Sequence, residues 1–445
     1  MSAPVAGRSG MQGLPHPAAG FEDSWYYATA IGLTDYPVLD AALSADVCVI
    51  GAGYTGLSAA LELAERGYSV VVLEAHRVGA GASGRNGGVL GMGQRKDQQD
   101  LERWLGGDTA RRLWQIALDA NALVRDRIER YQIDCDLTDG ELHAAHRPRH
   151  VAYYAQYSAH LERAYGYAGC RWVDRDEMVA MLGTEAYHGG YLDRGAGHLH
   201  PLNLTLGLAR AATAAGARIF EHSTVLDYAG GERPGRPVRV RTATGQVSAT
   251  YLVLACNGYL GRLERSIASY QMPINNFVLA TAPLPEPRAR GINRDNVAVV
   301  DSRFVVNYFH LSPDRRLIFG GGENYSARFP GDLKTFVRRH LLTVYPDLAD
   351  VPVDYAWGGT LAITLKRMPH FGRKGYGVYW AQGYSGHGIA MANMGGKLVA
   401  EAIVGNAERF DLFARLPHRR FPGGRLLRWP ALVAGMLYYA MLDRF

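Results

Sequence analysis

Residues 46–74 carry the feature that most restricts the fold. Asp46-Val47-Cys48-Val49-Ile50 is a short apolar run of the kind that forms a strand buried on both faces. Gly51-Ala52-Gly53-Tyr54-Thr55-Gly56 follows at once, then Leu57, Ala60, Leu61 and Ala64 at helical spacing up to Gly67. A second apolar run, Ser69-Val70-Val71-Val72-Leu73, ends at Glu74. Strand, glycine turn, helix, strand and acid in this order predict a doubly wound α/β domain that binds a dinucleotide. The glycines let backbone approach a pyrophosphate, and the helix N-terminus supplies N–H groups and a positive dipole. Glu74, followed by Ala75, is placed to accept hydrogen bonds from a ribose; an acid there, in place of an Arg, argues against a 2′-phosphate.

Length leaves room for more than this unit: 445 residues correspond to two or three domains at roughly 150 residues each. Composition excludes several classes. Glycine is high at 53 residues, but charged residues at 20% and hydrophobics at 48% are those of a globular protein, with no collagen-like or disordered bias. The formal charge of +6 comes from arginines scattered among 42 acids, with no basic stripe or tail to hold nucleic acid. Cys48, Cys135, Cys170 and Cys256 are far apart and form no CxxC pair, so neither a zinc site nor a disulfide framework is expected, and the chain reads as a reduced, cytoplasmic protein. His198 and His200 form an HxH without an evident third ligand, and no metal is expected. The apolar tract 430–442 is shorter than the ~20 residues of a transmembrane helix. With Arg425, Arg428 and Trp429 ahead of it, the tract has the composition of a helix that rests on a membrane, although such tails more often pack on their own protein.

The middle of the chain alternates between two patterns. Residues 109–131 and 151–165 read as helices, 136–145 as strand and turn, and 303–311 and 315–320 as strands. Residues 202–216, 218–221 and 251–255 read as returns to the doubly wound domain. The simplest organisation has a lead-in over 1–44, a discontinuous cofactor domain over 45–95, 196–270 and 355–411, an inserted antiparallel-sheet α+β substrate domain over 96–195 and 271–354, and a tail over 412–445.

Two further glycine segments identify the dinucleotide. Gly79-Ala80-Gly81-Ala82-Ser83-Gly84-Arg85-Asn86-Gly87-Gly88 is a small-residue loop that lets backbone lie against a large planar ligand. Near the other end, the strand-like Tyr379-Trp380-Ala381-Gln382 runs into Gly383-Tyr384-Ser385-Gly386-His387-Gly388, which opens a helix over 389–404 closed by Gly405. A second helix N-terminus has a reason if the ligand is a flavin, because a hydride arriving at N5 leaves negative charge near N1 and the C2 carbonyl.

Taken with residues 51–88, the segments Ala196 to Asn203 (AGHLHPLN), Leu252 to Gly261 (LVLACNGYLG), Leu365 to Arg373 (LKRMPHFGR) and Gly383 to Gly388 (GYSGHG) resemble the FAD-dependent D-amino-acid oxidase superfamily. Ser24-Trp25-Tyr26-Tyr27-Ala28 and residues 416–425 resemble, within it, the bacterial gamma-glutamylputrescine oxidases. The resemblance implies FAD extended through the doubly wound domain with its ring capped by an antiparallel sheet. It implies that Gly51, Gly53, Gly56 and Glu74 hold the adenosine half, that Tyr54, Thr55 and Ala75 beside them also bind the cofactor, and that Ser83, Arg85, Asn86, Gly87 and Gly88 lie beside the pyrophosphate and ring. Val225 falls where backbone pairs with adenine, Asn257 and Gly258 lie in a shared motif, and Gly383, Ser385, Gly386, His387 and Gly388 form the turn at the flavin.

Two departures from the sarcosine oxidase branch matter. Residues 354–371 contain no Cys, which implies a non-covalent FAD, and Lys is absent from 97 to 333, where that branch carries an oxygen-activating lysine. Either another cation assists oxygen, or another acceptor takes the electrons. The implied chemistry is hydride transfer from the carbon bearing a neutral amine, giving an imine that hydrolyses to aldehyde and ammonia. The amine that the resemblance implies is gamma-glutamylputrescine or a related polyamine derivative; the alternative is an amino-acid or secondary-amine dehydrogenase that passes electrons to a quinone or carrier. His387 and Arg367 are the candidate catalytic residues, His387 because an imidazole ordinarily titrates near neutrality; bracing of the turn and a surface ion pair are their bland alternatives. Tyr308 and Glu323 bracket the cap strands and are further candidates to meet an amine, and Tyr384 is either a site or a core residue. A polyamine calls for an acidic or aromatic lining and a glutamyl carboxylate for an Arg, but no single Arg stands out.

Overall fold

The computed structural model describes residues 20–324 and 329–422, with 323 and 324 placed by backbone alone. The C-terminal apolar tract and residues 1–19 of the N-terminal lead-in therefore lie outside the described residues. Two sheets organise the rest. The first runs His370–Lys374, Val378–Gln382, Gln246–Leu254, Ala42–Ile50, Val70–Leu73 and Arg218–Phe220 in space. All neighbours on this path are parallel except the first pair. Ile50 lies opposite both Leu73 and Leu254, so these three strands end level with one another. Ligands of doubly wound sheets bind outside the carboxyl ends of the strands, and that edge presents Gly51, Glu74, Ala255 and Gly383.

The second sheet runs Val353–Thr364, Gln271–Thr281, Leu317–Asn324, Tyr308–Leu311, Ala298–Asp301, Thr138–Ala144, Gly190–His198 and Val89–Leu90. It was expected to be antiparallel, yet Ala298–Asp301 pairs in parallel with Thr138–Ala144. That parallel pair joins residues as remote as Ala298 and Glu141, so no local turn pattern announces it. Val353–Thr364 and Val89–Leu90 belong to this sheet, and the crossing between the two sheets after the long strand falls beyond Thr364.

The chain is already structured by Phe21. Phe21, Trp25 and Tyr26 are buried, and Tyr26 packs edge-on against Trp357 and His200. The helices Tyr54–Ala64 and Gly388–Ile403, which carry the two glycine turns, are tied to the helix Gly107–Arg130 by one side chain. Arg127 donates to Glu62 Oε1 at 2.9 Å, to Ser58 Oγ at 2.8 Å and to Asn393 Oδ1 at 2.9 Å. A buried charge is tolerated where it is fully paired in this way, and the pairing sets the two helix N-termini relative to each other.

Candidate active site

A cavity of about 1010 Å3 runs from the carboxyl edge of the first sheet to the face of the second. At one end lies Glu74. Its carboxylate accepts the Ala52 N–H at 2.8 Å through Oε2 and the His76 N–H at 3.0 Å through Oε1. Burial pushes its pKa up, against the backbone N–H groups that favour the charged form. Ala75, Val225, Gly51 and Gly53 line the same end. Among the described residues, the amide and carbonyl of Val225 take no hydrogen bond, which leaves the edge that pairing with adenine requires.

Both helix N-termini open on the cavity without a side-chain cap: Gly53 precedes one helix and His387 the other. Apart from the Tyr54 N–H, which Ser83 takes, their first-turn N–H groups remain available to an anion. Gly53 owes its missing side chain to Ser83, whose Oγ would lie 2.7 Å from a Cβ there and which accepts the Tyr54 N–H at 3.0 Å. Thr55 Oγ1 and Tyr384 Oη, 329 residues apart in sequence, share a buried 2.6 Å hydrogen bond that joins the two turns. Tyr384 is thus both a core residue and a tie at the site.

Asn86 turns back to its own loop, donating to the Ala82 and Ser83 carbonyls and accepting the Gly88 N–H, and so shapes the loop through its side chain. Arg85 is also bracing: it donates to the carbonyls of Ala80 and Gly358 and lies over the Phe21 ring. Gly87 lies where a Cβ would sit 2.1 Å from the Tyr308 ring, and Gly320 presses on that ring from the opposite strand. The Tyr308 hydroxyl donates to Asn276 Oδ1 at 2.5 Å, so Tyr308 is fixed on the cavity wall. Glu323 lies opposite Asn276 in the strand register.

Gly56, Gly88, Gly258 and Gly383 lie off the cavity wall, and packing accounts for them. A Cβ on Gly56 would meet the Gly51 carbonyl oxygen at 1.9 Å, and one on Gly88 the Leu199 carbonyl oxygen at 2.3 Å. Gly383 has φ +75° and donates its N–H to Asn257 Oδ1 at 2.9 Å. Gly258 rests against Leu361.

At the other end, Asn257, Arg367 and Ser385 line the cavity with φ of +44°, +59° and +54°. Three non-glycine residues in the left-handed region concentrate strain where a site is expected. Thr364 stitches two of these turns together, accepting the Arg367 N–H through its carbonyl and donating its own N–H to Ser385 Oγ. Arg367 reaches over the Phe304 ring. Gly386 and Gly388 line the cavity beside His387. Burial and then Arg95 bring the His387 imidazole down to about 4; it is neutral at neutral pH, and not poised there as its unperturbed value suggested.

Residues that sequence reasoning passed over complete the wall. Glu141 and His143, two apart in one strand and so on one face, lie 3.5 Å apart (Oε1 to Nε2). Burial pushes the Glu141 carboxyl up, but His143, followed by His387 and Arg95, outweighs it and holds the carboxyl below its ordinary value. Burial likewise opposes the charged His143, and Glu141 outweighs it and raises the imidazole. His143 stacks on Tyr191 at 4.4 Å and 14°. Tyr153, Tyr154 and Tyr157, at adjacent and i,i+4 positions of the helix Pro148–Tyr165, bring their face to the same pouch. That tyrosine stripe was the available signal.

His198 and His200 are engaged elsewhere. His198 Nε2 meets the Asn296 carbonyl at 2.8 Å, while His200 accepts the Asn203 N–H through Nδ1 and meets Thr29 Oγ1 through Nε2. Among the described residues no cluster of three metal-ligating side chains occurs.

A nucleotide-binding edge, two open helix N-termini and a cap of mixed sheet define a flavin-dependent oxidoreductase. Residues 46–402 match the family model described as DAO, FAD dependent oxidoreductase, and the chain belongs to that family. Over 422 residues it is 43% identical to the gamma-glutamylputrescine oxidoreductase of Escherichia coli K12, covering 95% of this chain and 98% of the relative. It is 41% identical to the probable oxidoreductase OrdL of Rhizobium meliloti, over 95% of this chain and 97% of that one. The fold is shared with the crystal structure of glycine oxidase from Geobacillus kaustophilus, at a TM-score of 0.69 and 22% identity over 81% of this chain and 95% of that chain. FAD is the cofactor, and the residues fit it: Glu74 and Val225 would hold the adenosine, the helix at Tyr54 the pyrophosphate, and the helix at Gly388 the pyrimidine edge of the ring. Bound there, FAD supplies a two-electron acceptor. The described residues contain no helix long and apolar enough to cross a membrane.

Proposed function

We propose that the chain oxidises the terminal primary amine of gamma-glutamylputrescine or a related polyamine derivative to an aldehyde, consuming water and releasing ammonia, with dioxygen reduced to hydrogen peroxide. The observation that carries this reading is the continuation of the cavity beyond the FAD cradle into a pouch lined by Tyr153, Tyr154, Tyr157 and Tyr191 and by Arg367 and the Asp301-paired Arg303. Such a lining suits a ligand with a cationic and an anionic end. The near full-length identity to the E. coli enzyme supports the same substrate class.

The experiment is anaerobic reduction of the yellow protein by gamma-glutamylputrescine, putrescine, spermidine, sarcosine and D-alanine, followed by peroxide yield in air. Rapid bleaching by gamma-glutamylputrescine alone is expected; bleaching only by sarcosine or D-alanine overturns the substrate. One observation favours a second reading for the acceptor: among the described residues no lysine lines the cavity. Strong bleaching with negligible peroxide would assign the electrons to a quinone or carrier.

FAD is held non-covalently in this reading, since residues 354–371 lack Cys and the cysteine on the cavity wall, Cys256, lies at the Glu74 end. The four thiols are unpaired, consistent with a cytoplasmic site of action. Arg367 is assigned to the anionic end of the substrate. His387 acts at the flavin turn as a neutral imidazole. Because its pKa is lowered to about 4, its proton is absent from about pH 5.5 upward and is gained only as pH falls through 4. The limb of kcat/KM it controls is expected on the acid side near pH 4, and His387→Gln should remove it. Loss in that variant of a limb near 6.5 would overturn this role.

A further inference from the structure

The pouch holds a carboxylate that the flavin cradle does not use. Glu141 lies in the strand Thr138–Ala144 with its side chain 3% exposed. His143 stands 3.5 Å from Oε1, a long separation for a hydrogen bond. Oε2 accepts no hydrogen bond from the described residues. It points at Gly91, where a Cβ would lie 3.1 Å from Oε2 and 3.6 Å from His387 Nε2. The oxygen therefore faces the same opening as the residue that starts the flavin-side helix. Burying a carboxylate is costly unless it is paired, and this one is only partly paired. Arg95, His143 and His387 favour its charged form, while the buried Asp193, opposite it in the strand register, and Tyr167 and Cys170 also feel its charge.

The surroundings determine what completes the pair. Tyr153, Tyr154, Tyr157 and Tyr191 line the pouch, and His143 is clamped between Tyr191, stacked at 4.4 Å, and Tyr154, edge-on at 6.3 Å. Aromatic faces carry negative potential that attracts a cation, and the stacked imidazole fixes the carboxylate behind them. A lone acid on a protein surface would not select an ammonium group from water. A desolvated acid within a tyrosine-lined wall does, because both terms grow as water is excluded.

The geometry points to Glu141 Oε2, reached past Gly91, as the subsite for the alkylammonium end of the substrate. This inference rests on the amine-oxidising reading above and specifies how that amine is selected. Glu141 binds the cationic end beside His387, within the tyrosine-lined pouch.

Two variants and one ligand pair test it on the FAD-loaded enzyme. Tetramethylammonium has no nitrogen lone pair to be oxidised, and tert-butanol is an uncharged molecule of similar shape. Tetramethylammonium is expected to perturb the flavin absorbance and to compete with the amine, at least about tenfold more tightly than tert-butanol. Glu141→Gln should weaken tetramethylammonium binding and raise KM for the primary amine by about tenfold or more. Gly91→Ala leaves the carboxylate in place but puts a methyl in front of Oε2, and should weaken both in the same sense even if Glu141→Gln fails to fold. Wild-type affinity for tetramethylammonium in either variant that retains FAD, or equal binding of tert-butanol and tetramethylammonium by the wild type, overturns the subsite. If no amine bleaches the wild type while tetramethylammonium still binds in a Glu141-dependent way, the amine-oxidising reading fails and the cation site stands.

Discussion

Gly56→Ala is expected to yield a protein that purifies with little or no flavin and melts roughly 1–3 °C lower than the wild type. The added methyl would sit 1.9 Å from the Gly51 carbonyl oxygen and 3.1 Å from Val49 Cγ1. A backbone carbonyl cannot rotate away as a side chain does, so the helix Tyr54–Ala64 must lift from the end of the strand Ala42–Ile50. Overpacking of this kind costs about 1–3 kcal/mol. The same lift carries the N-terminus of that helix, with the N–H groups of Thr55 and its neighbours, away from the pyrophosphate position. The ratio of flavin to protein absorbance and a calorimetric melt give both readouts. Wild-type flavin content and melting temperature together would show that the turn is not closed as tightly as described. The resemblance places Gly56 among the residues that hold the adenosine half; the structure places it off the cavity wall, where it acts by letting helix and strand meet.

Gly388→Ala should behave in the opposite way. A Cβ there meets nothing within 4 Å among the described residues, and the residue opens the helix Gly388–Ile403. Alanine favours a helix over glycine by up to about 1 kcal/mol, so the apoprotein should melt at the same temperature or slightly above. Yet Gly388 lines the cavity, and a methyl would project to where the ring's pyrimidine edge must approach the helix N-terminus. The expected result is FAD affinity lowered by about tenfold or more, measured by titrating apoprotein with FAD. Unchanged affinity would mean that this helix end does not contact the cofactor. The pair of variants separates a glycine required by the protein's own packing from one required by its ligand.

The cofactor half was legible because its determinants are local. The apolar run ending at Ile50, the turn at Gly51 to Gly56 and Glu74 lie within one strand–helix–strand unit, and their spacing alone carries the geometry. Gly383 to Gly388 was legible for the same reason, as a strand running into a helix through glycines. Where partners are remote, the reading failed or stayed open. The resemblance sets Arg85 beside the pyrophosphate and ring; it lines the cavity, but its guanidinium also donates to the carbonyls of Ala80 and Gly358. The segment before residue 45 reads as a lead-in, but Tyr26 is packed against Trp357. His387 reads as an imidazole near neutrality, but burial and Arg95 lower it.

Glu141 shows the limit most clearly. Beyond His143, two residues on in the same strand, its meaning depends on Gly91, Tyr154, Tyr191 and His387, which come from four other stretches, and the run Thr138 to Ala144 alone does not distinguish that acid from a solvated one. By itself the sequence determined the doubly wound sheet, the dinucleotide and the family, because backbone periodicity and glycine placement act over a few residues and leave a mark in their order. Only the tertiary structure decided which glycines serve packing and which the ligand, and which acid faces the substrate. Those assignments depend on distances between residues as remote as Gly87 from Tyr308 and Gly91 from His387 and on the exclusion of water, and neither has a trace in local order.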